Sequence, residues 1–270
     1  MATKAATKPT APAAKGGNVS QLPAKREETR VAKGINYDDV QVTGMEGADR
    51  DSFLIPRLVV LQKMSPQLDK GDENYIKGAE EGDILNTATL EVYGGEDGIE
   101  VLPVMFKRSF TQWVLREKGG GLKGEYSPTD PIVTTTKRDE KNREILPDGD
   151  TQLVDTRTHA VVLLSDEGPI AALITFTSTQ IKKSKRWMTH MHEMHNKDHL
   201  PTLAHKWKLS TTRESNDKGS WSGWVVEPIG QNDDAAAKET AVGFLNALQT
   251  GDLKIKADAS MRSGDADVPF

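Results

Sequence analysis

HAVVLLSDEGPIAALITFTSTQIKKSKRWMTHMHEMHN, residues 159–196, decides the fold. Two apolar runs, His159–Ser165 and Ile170–Thr177, meet at the turn Asp166-Glu167-Gly168-Pro169, which predicts a β-hairpin. Directly after it, Ser178 or Thr179 can cap a helix running to about Asn196, because Ile181, Trp187, Met188, Met191 and Met194 recur at roughly helical spacing. Toward the N-terminus, Ile99–Phe106 and Phe110–Arg116 read as one long strand, or two, broken near Lys107. Gly119-Gly120-Gly121 ends it, and residues 117–157 form a polar excursion rich in Gly, Pro, Asp and Lys. Toward the C-terminus, Leu203–Thr211 and Trp221–Glu227 are two more strands, joined by a polar loop from Arg213 to Ser220.

The resulting order is strand, long loop, strand, strand, helix, strand, strand. It matches the OB-fold, a five-stranded Greek-key barrel with one helix between strands three and four. The expected fold is therefore mainly β (α+β), an OB-fold-like barrel with extra N-terminal elements and disordered termini. The nucleic-acid-binding domain is expected over residues 46–230. Within its N-terminal addition, Phe53–Leu61 is interrupted by Pro56, which makes it an edge strand or a helix start. Ile84–Tyr93 reads as a further strand. Asp233-Asp234 begins a short helix in 231–251, ended by Gly251, whose face Ala241, Phe244, Leu245 and Leu248 could pack on the core or on a second subunit of a homo-oligomer. Residues 1–45 read as a disordered basic arm carrying Lys4, Lys8, Lys15, Lys25, Arg26, Arg30 and Lys33, and residues 252–270 as a flexible tail.

The 270 residues contain no Cys, which excludes disulfide frameworks, thiolate chemistry and Cys-based zinc sites. No apolar run approaches the ~20 residues of a membrane span, so no membrane partner is expected, and a cytoplasmic location follows. The net charge is −5, which would disfavour a polyanion partner were it evenly spread. It is not. Lys182, Lys183, Lys185, Arg186, Lys206, Lys208 and Arg213 crowd one region with Trp207, Trp221 and Trp224, and the first long strand adds Lys107, Arg108, Phe110, Trp113 and Arg116. Single-strand binding without strong sequence choice needs this mixture, with cations following phosphates and rings stacking on bases. In Lys206-Trp207-Lys208, alternation sends the Trp and the two Lys to opposite faces, so one face is core. Trp187 lies on the apolar helical stripe and reads as core.

Enzyme signatures are missing: no Walker loop, no dinucleotide-binding Gly pattern and no nucleophile elbow. No cofactor is expected. His192, His195 and His199 could share a helical face, but with no Cys and no His-Glu-x-x-His pattern a metal site has little support. A metal-dependent nuclease and a virion or scaffold protein stand as alternatives to a binding module.

The last residues, Asp265-Ala266-Asp267-Val268-Pro269-Phe270, form a compact peptide ligand. A ring can enter an apolar pocket while carboxylates meet cations at its rim, and Pro269 holds Val268 extended. This ending resembles the tip of bacterial single-stranded-DNA-binding proteins. The block Thr177-Ser178-Thr179-Gln180-Ile181-Lys182-Lys183-Ser184-Lys185-Arg186-Trp187, with Phe53-Leu54-Ile55-Pro56-Arg57-Leu58, resembles segments of tailed-phage replication proteins. The whole resembles a phage-type single-stranded-DNA-binding protein. The resemblance implies coating of single strands and recruitment of replication or recombination proteins through Asp265, Asp267, Val268, Pro269 and Phe270. The chain departs from the bacterial pattern in its central barrel, its short linker and the Lys254, Lys256 and Arg262 that dilute the tail's acidity.

Overall fold

Alternating apolar residues along Ile99–Val104 and Ala160–Leu163 send side chains to both faces of one sheet, and each face is covered by a helix. The computed structural model describes residues 44–48, 52–217 and 219–257. Two units divide the chain, 1–48 and 49–270, and of the first only an exposed turn at 44–48 is described. The expected basic arm therefore lies almost wholly outside the described residues.

The second unit runs β1 (Leu58–Val60), β2 (Ile84–Asn86), β3 (Val92–Tyr93), β4 (Ile99–Val114), β5 (Leu122–Tyr126), β6 (Lys137–Arg138), β7 (Glu144–Ile145), β8 (Thr151–Ser165), β9 (Gly168–Phe176), α1 (Ile181–Asp198), β10 (His205–Asn216), β11 (Gly219–Gln231) and α2 (Ala235–Gln249). β1, β2 and β3 form a small antiparallel sheet with β1 at its edge, as Pro56 requires. The single strand expected over Ile84–Tyr93 is a tight hairpin instead. Asn86 is buried and its side-chain oxygen accepts from the N–H groups of Ala88 and Thr89, while Leu90 takes φ 59°.

The large sheet is antiparallel and carries the five expected strands in the spatial order β11-β10-β4-β8-β9. Closing that ribbon into a barrel would require β9 to pair with β11. Among the described residues no such pairing exists, and the sheet is open. Segment 56–62 lies against both ends instead. The Leu173 N–H of β9 donates to Pro56 O at 2.8 Å, and Gln62 exchanges hydrogen bonds with both main-chain groups of Ser222 in β11.

Two apolar layers hold the unit together. Val101, Val161, Ile174, Phe176, Trp207 and Leu209 pack under α1 through Trp187 and Met191. Leu102, Ala160, Val162 and Leu173 point the other way and meet Ala237, Ala241, Phe244 and Leu248 of α2. Each large side chain buried this way contributes about 1.5–3 kcal/mol. The apolar face of α2 packs on the sheet, so the core option for that helix is the one realised. Asp234 caps the helix by accepting from the N–H groups of Ala236 and Ala237.

Four boundaries differ from expectation, each for a local reason. The excursion over 117–157 is largely structured: β4 and β8 run on beyond the core as paired strands, with β5, β6 and β7 alongside. Buried polar residues such as Thr111, Gln112, Thr151 and Thr156 pair across this arm, which hides the strands from an apolar pattern. The loop expected at 213–220 is mostly ladder, since Arg213 pairs with Ser222 and Asn216 with Gly219. Neither Ser178 nor Thr179 caps α1; a 3-10 turn over Ser178–Gln180 leads into it and Gln180 stands at the cap position. The chain is also not released at Gly251: Ile255 is buried under α2, and its carbonyl and that of Lys256 accept from Lys107 and Arg57.

Candidate nucleic-acid interface

α1 is amphipathic in a way that fixes what each face can do. Ser184, Trp187 and Met191 are buried, whereas Lys182, Lys185, Arg186 and Thr189 share the exposed side. The helix is anchored by a polar contact inside the core. His159 Nε2 of β8 lies 2.8 Å from Ser184 Oγ, and its ring stacks on Trp187 with centroids 4.4 Å apart. Burial, with a smaller contribution from Arg157, lowers the His159 pKa to about 3, so this ring is neutral.

The exposed side is cationic. Ile181–Asp198 holds five Lys and Arg against one Glu and one Asp. Among the described residues no carboxylate pairs with Lys182, Lys185 or Arg186. Like charges three and four residues apart cost a helix a few tenths of a kcal/mol, which a bound anion would relieve. Lys183 is different. It reaches Glu214 and the Trp224 carbonyl and ties α1 to β11. Burial opposes ionisation of Glu214, but Lys183, Trp221 and Gln180 outweigh it and hold that carboxyl below its usual range.

A cleft opens on each side of α1. The arm cleft, about 540 Å³, lies between α1 and the β4–β8 arm and is lined by Lys185, Phe110, Arg138, Arg143 and Asp155, among others. Its arginines are largely engaged: Arg138 by Glu144, and Arg143 by Asp139 and Glu117. Phe110 is half-buried, with the Arg108 guanidinium 5.1 Å from its ring centroid. The edge cleft, about 480 Å³, lies between α1 and β11, with Lys183, Arg186, Trp187 and His190 facing Val225–Ile229.

The remaining expected site residues are dispersed. The indoles are the main correction. Trp113, Trp207, Trp221 and Trp224 are only 5, 0, 8 and 4% exposed, so none offers a face for a base. Trp113 Nε1 donates to Thr111 and Trp221 Nε1 to Glu214, as core indoles do. Alternation around Trp207 holds: the indole is under α1, and Lys206 and Lys208 take the other face, with Lys206 paired to Asp233. Lys107 pairs with Glu125 and Arg108 with Asp155. Arg116 is exposed at the end of the arm, and Arg213 bonds Ser220 at the β10–β11 hairpin. Around α1, Phe110 and Lys185 meet at the arm cleft, and Lys183 and Arg186 at the edge cleft, where Lys183 also meets the Trp224 carbonyl. Residues 265–270 lie outside the described residues.

Among the described residues no three His, Asp or Glu side chains gather to hold a metal. His192 meets Asn196, His195 meets the Leu200 carbonyl, His199 ends α1 in a left-handed conformation and His205 meets Asp198. No helix is long and apolar enough to cross a membrane among the described residues. Arg138, Arg143 and Val225–Ile229 are not evident from sequence because only tertiary packing sets them beside α1.

A family model described as Pam3 phage gp34-like protein matches residues 25–254. The chain belongs to the Pam3 phage gp34-like family. The matched range spans every strand and both helices, so the family carries the whole of the described second unit up to Lys254 and supports a phage origin. It stops short of Asp265–Phe270. No curated protein matches the chain, and no solved structure does.

Proposed function

We propose that this phage-family protein binds single-stranded DNA during replication or recombination of phage DNA in the host cytoplasm. On this reading it works without turnover or cofactor, and the open sheet is a relative of the oligonucleotide-binding barrel. One observation carries the reading: three cations without an ion pair among the described residues, Lys182, Lys185 and Arg186, stand on a single exposed helix face between two clefts. That face suits a flexible phosphate backbone better than a flat protein surface. Because the indoles are buried, binding rests on phosphate contacts, with Phe110, the least buried of the five expected rings, left to stack. Partner recruitment is assigned to Asp265, Asp267, Val268, Pro269 and Phe270.

A gel-shift series with single-stranded DNA, duplex and RNA at two salt concentrations tests the first part. Preference for single-stranded DNA and steep loss with salt are expected; no shift at low salt refutes the reading. Deleting residues 265–270 should leave DNA binding intact or stronger and abolish capture of replication proteins. Undiminished capture by the shortened chain removes the role of the tip.

A further inference from the structure

β11 is the outer strand of the large sheet, and its free edge changes character along its length. At Ser222 and Trp224 the main chain faces away from β10 and is capped by side chains: Gln62 takes both groups of Ser222, while Gln180 and Lys183 take the N–H and C=O of Trp224. The two-residue repeat of a strand carries this outward direction on to Val226 and Pro228. There the caps stop. Among the described residues no hydrogen-bond partner meets the Val226 main chain on that edge. Pro228 fits the register, because the N–H it lacks would have pointed away from β10. These residues form one wall of the edge cleft, and α1 forms the other.

The strand wall thus offers one donor, the Val226 N–H, against two acceptors, the carbonyls of Val226 and Pro228. The helix wall offers Arg186. A further β-strand is a poor occupant, because pairing needs a second N–H that Pro228 does not have. An unpaired base is a good one. Its Watson–Crick edge presents donor and acceptor side by side, matching the N–H and C=O of one residue, while its phosphate meets Arg186. At about 480 Å³ the cleft has ample room for one nucleotide.

We propose that the edge cleft is a nucleobase pocket that favours bases carrying an amino group over thymine. The inference rests on the DNA-binding reading above and adds a composition preference to it. The surplus of acceptors sets the preference. Cytosine directs its amino hydrogens at a carbonyl and takes the Val226 N–H on N3. Thymine has one N–H between two carbonyls, and its remaining oxygen would face an acceptor of the wall.

Labelled dC and dT strands of equal length, titrated by fluorescence anisotropy, provide the test. The native chain should bind dC at least about fivefold more tightly than dT. Ile229→Trp, at a position 41% exposed and so open to a larger side chain, should fill the cleft and bring dC down to the dT level. Independently of any variant, the Val226 amide resonance should shift on adding dC. Equal binding of dC and dT by the native chain, or a preference that survives Ile229→Trp, overturns the pocket and leaves phosphate-led binding standing. Failure to bind either strand at low salt removes the DNA reading together with the pocket.

Discussion

His159 shows how much a single side chain can contribute to placing α1. It is buried, stacked on Trp187 and bonded to Ser184, and its pKa falls to about 3. An unfolded imidazole takes its proton near pH 6.5. Between those values the unfolded chain binds a proton that the folded chain does not. The His159 contribution is therefore whole above about pH 6.5 and shrinks as pH falls, by up to about 1.4 kcal/mol per unit. Urea titrations at falling pH should show this acid slope, and His159→Phe should flatten it; an unchanged slope in the variant would remove His159 as its source. Phe110 allows a second prediction. Phe110→Ala should weaken single-strand binding by about 1 kcal/mol, roughly fivefold, and leave the salt dependence unaltered, because only stacking is lost. The stacking role of Phe110 is legible in sequence only as one of five candidates, and the role of His159 is not legible there. Phe110 stood among four Trp as one ring of five, and only burial separates it from them. His159 opens an apolar run and shows nothing of Ser184, which α1 brings onto it from the same side of the sheet.

Elements were read well where one face is apolar and the other polar. α1 and the capped α2 follow from such patterns, and the β8–β9 hairpin from two continuous apolar runs that meet at a turn. The reading failed where strands leave the core. In the β4–β8 arm, Thr111 meets Thr156 and Gln112 meets Thr151, so polar side chains do what apolar ones do elsewhere, and a strand looks like a loop. On α1, composition identified the cationic run, but only the buried Ser184, Trp187 and Met191 show which cations are exposed together. Replacing Lys182, Lys185 and Arg186 with Ala should lower the slope of log affinity against log salt by about 2, from ~0.7 per phosphate contact on a single strand. The fold should be unaffected, since these side chains make no ion pair among the described residues. Asp234→Ala should cost about 1 kcal/mol of stability through loss of the α2 cap, measured by thermal or urea unfolding.

At the scale of the whole described unit, a sheet that does not close is completed by segments distant in sequence. Segment 56–62 lies against both β9 and β11, and residues 252–257 return beneath α2 to meet Arg57, Lys107 and Glu125. Element order alone suggested a closed barrel, because nothing in a local pattern reveals that β9 and β11 stay apart. A chain ending at Gly251 should consequently melt at a lower temperature than one ending at Ala257, as it lacks buried Ile255 and these hydrogen bonds. The same architecture leaves the cationic face of α1 uncovered between its two clefts, and the functional account depends on that face. Fluorescence anisotropy of a labelled single strand, at about 50 mM and about 200 mM salt, with the native chain and with Lys182, Lys185 and Arg186 all replaced by Glu, tests it most directly. The account predicts binding by the native chain that weakens steeply with salt, and at least about tenfold weaker binding by an equally stable variant. Equal affinity of the two proteins, or no binding by the native chain at low salt, would contradict it.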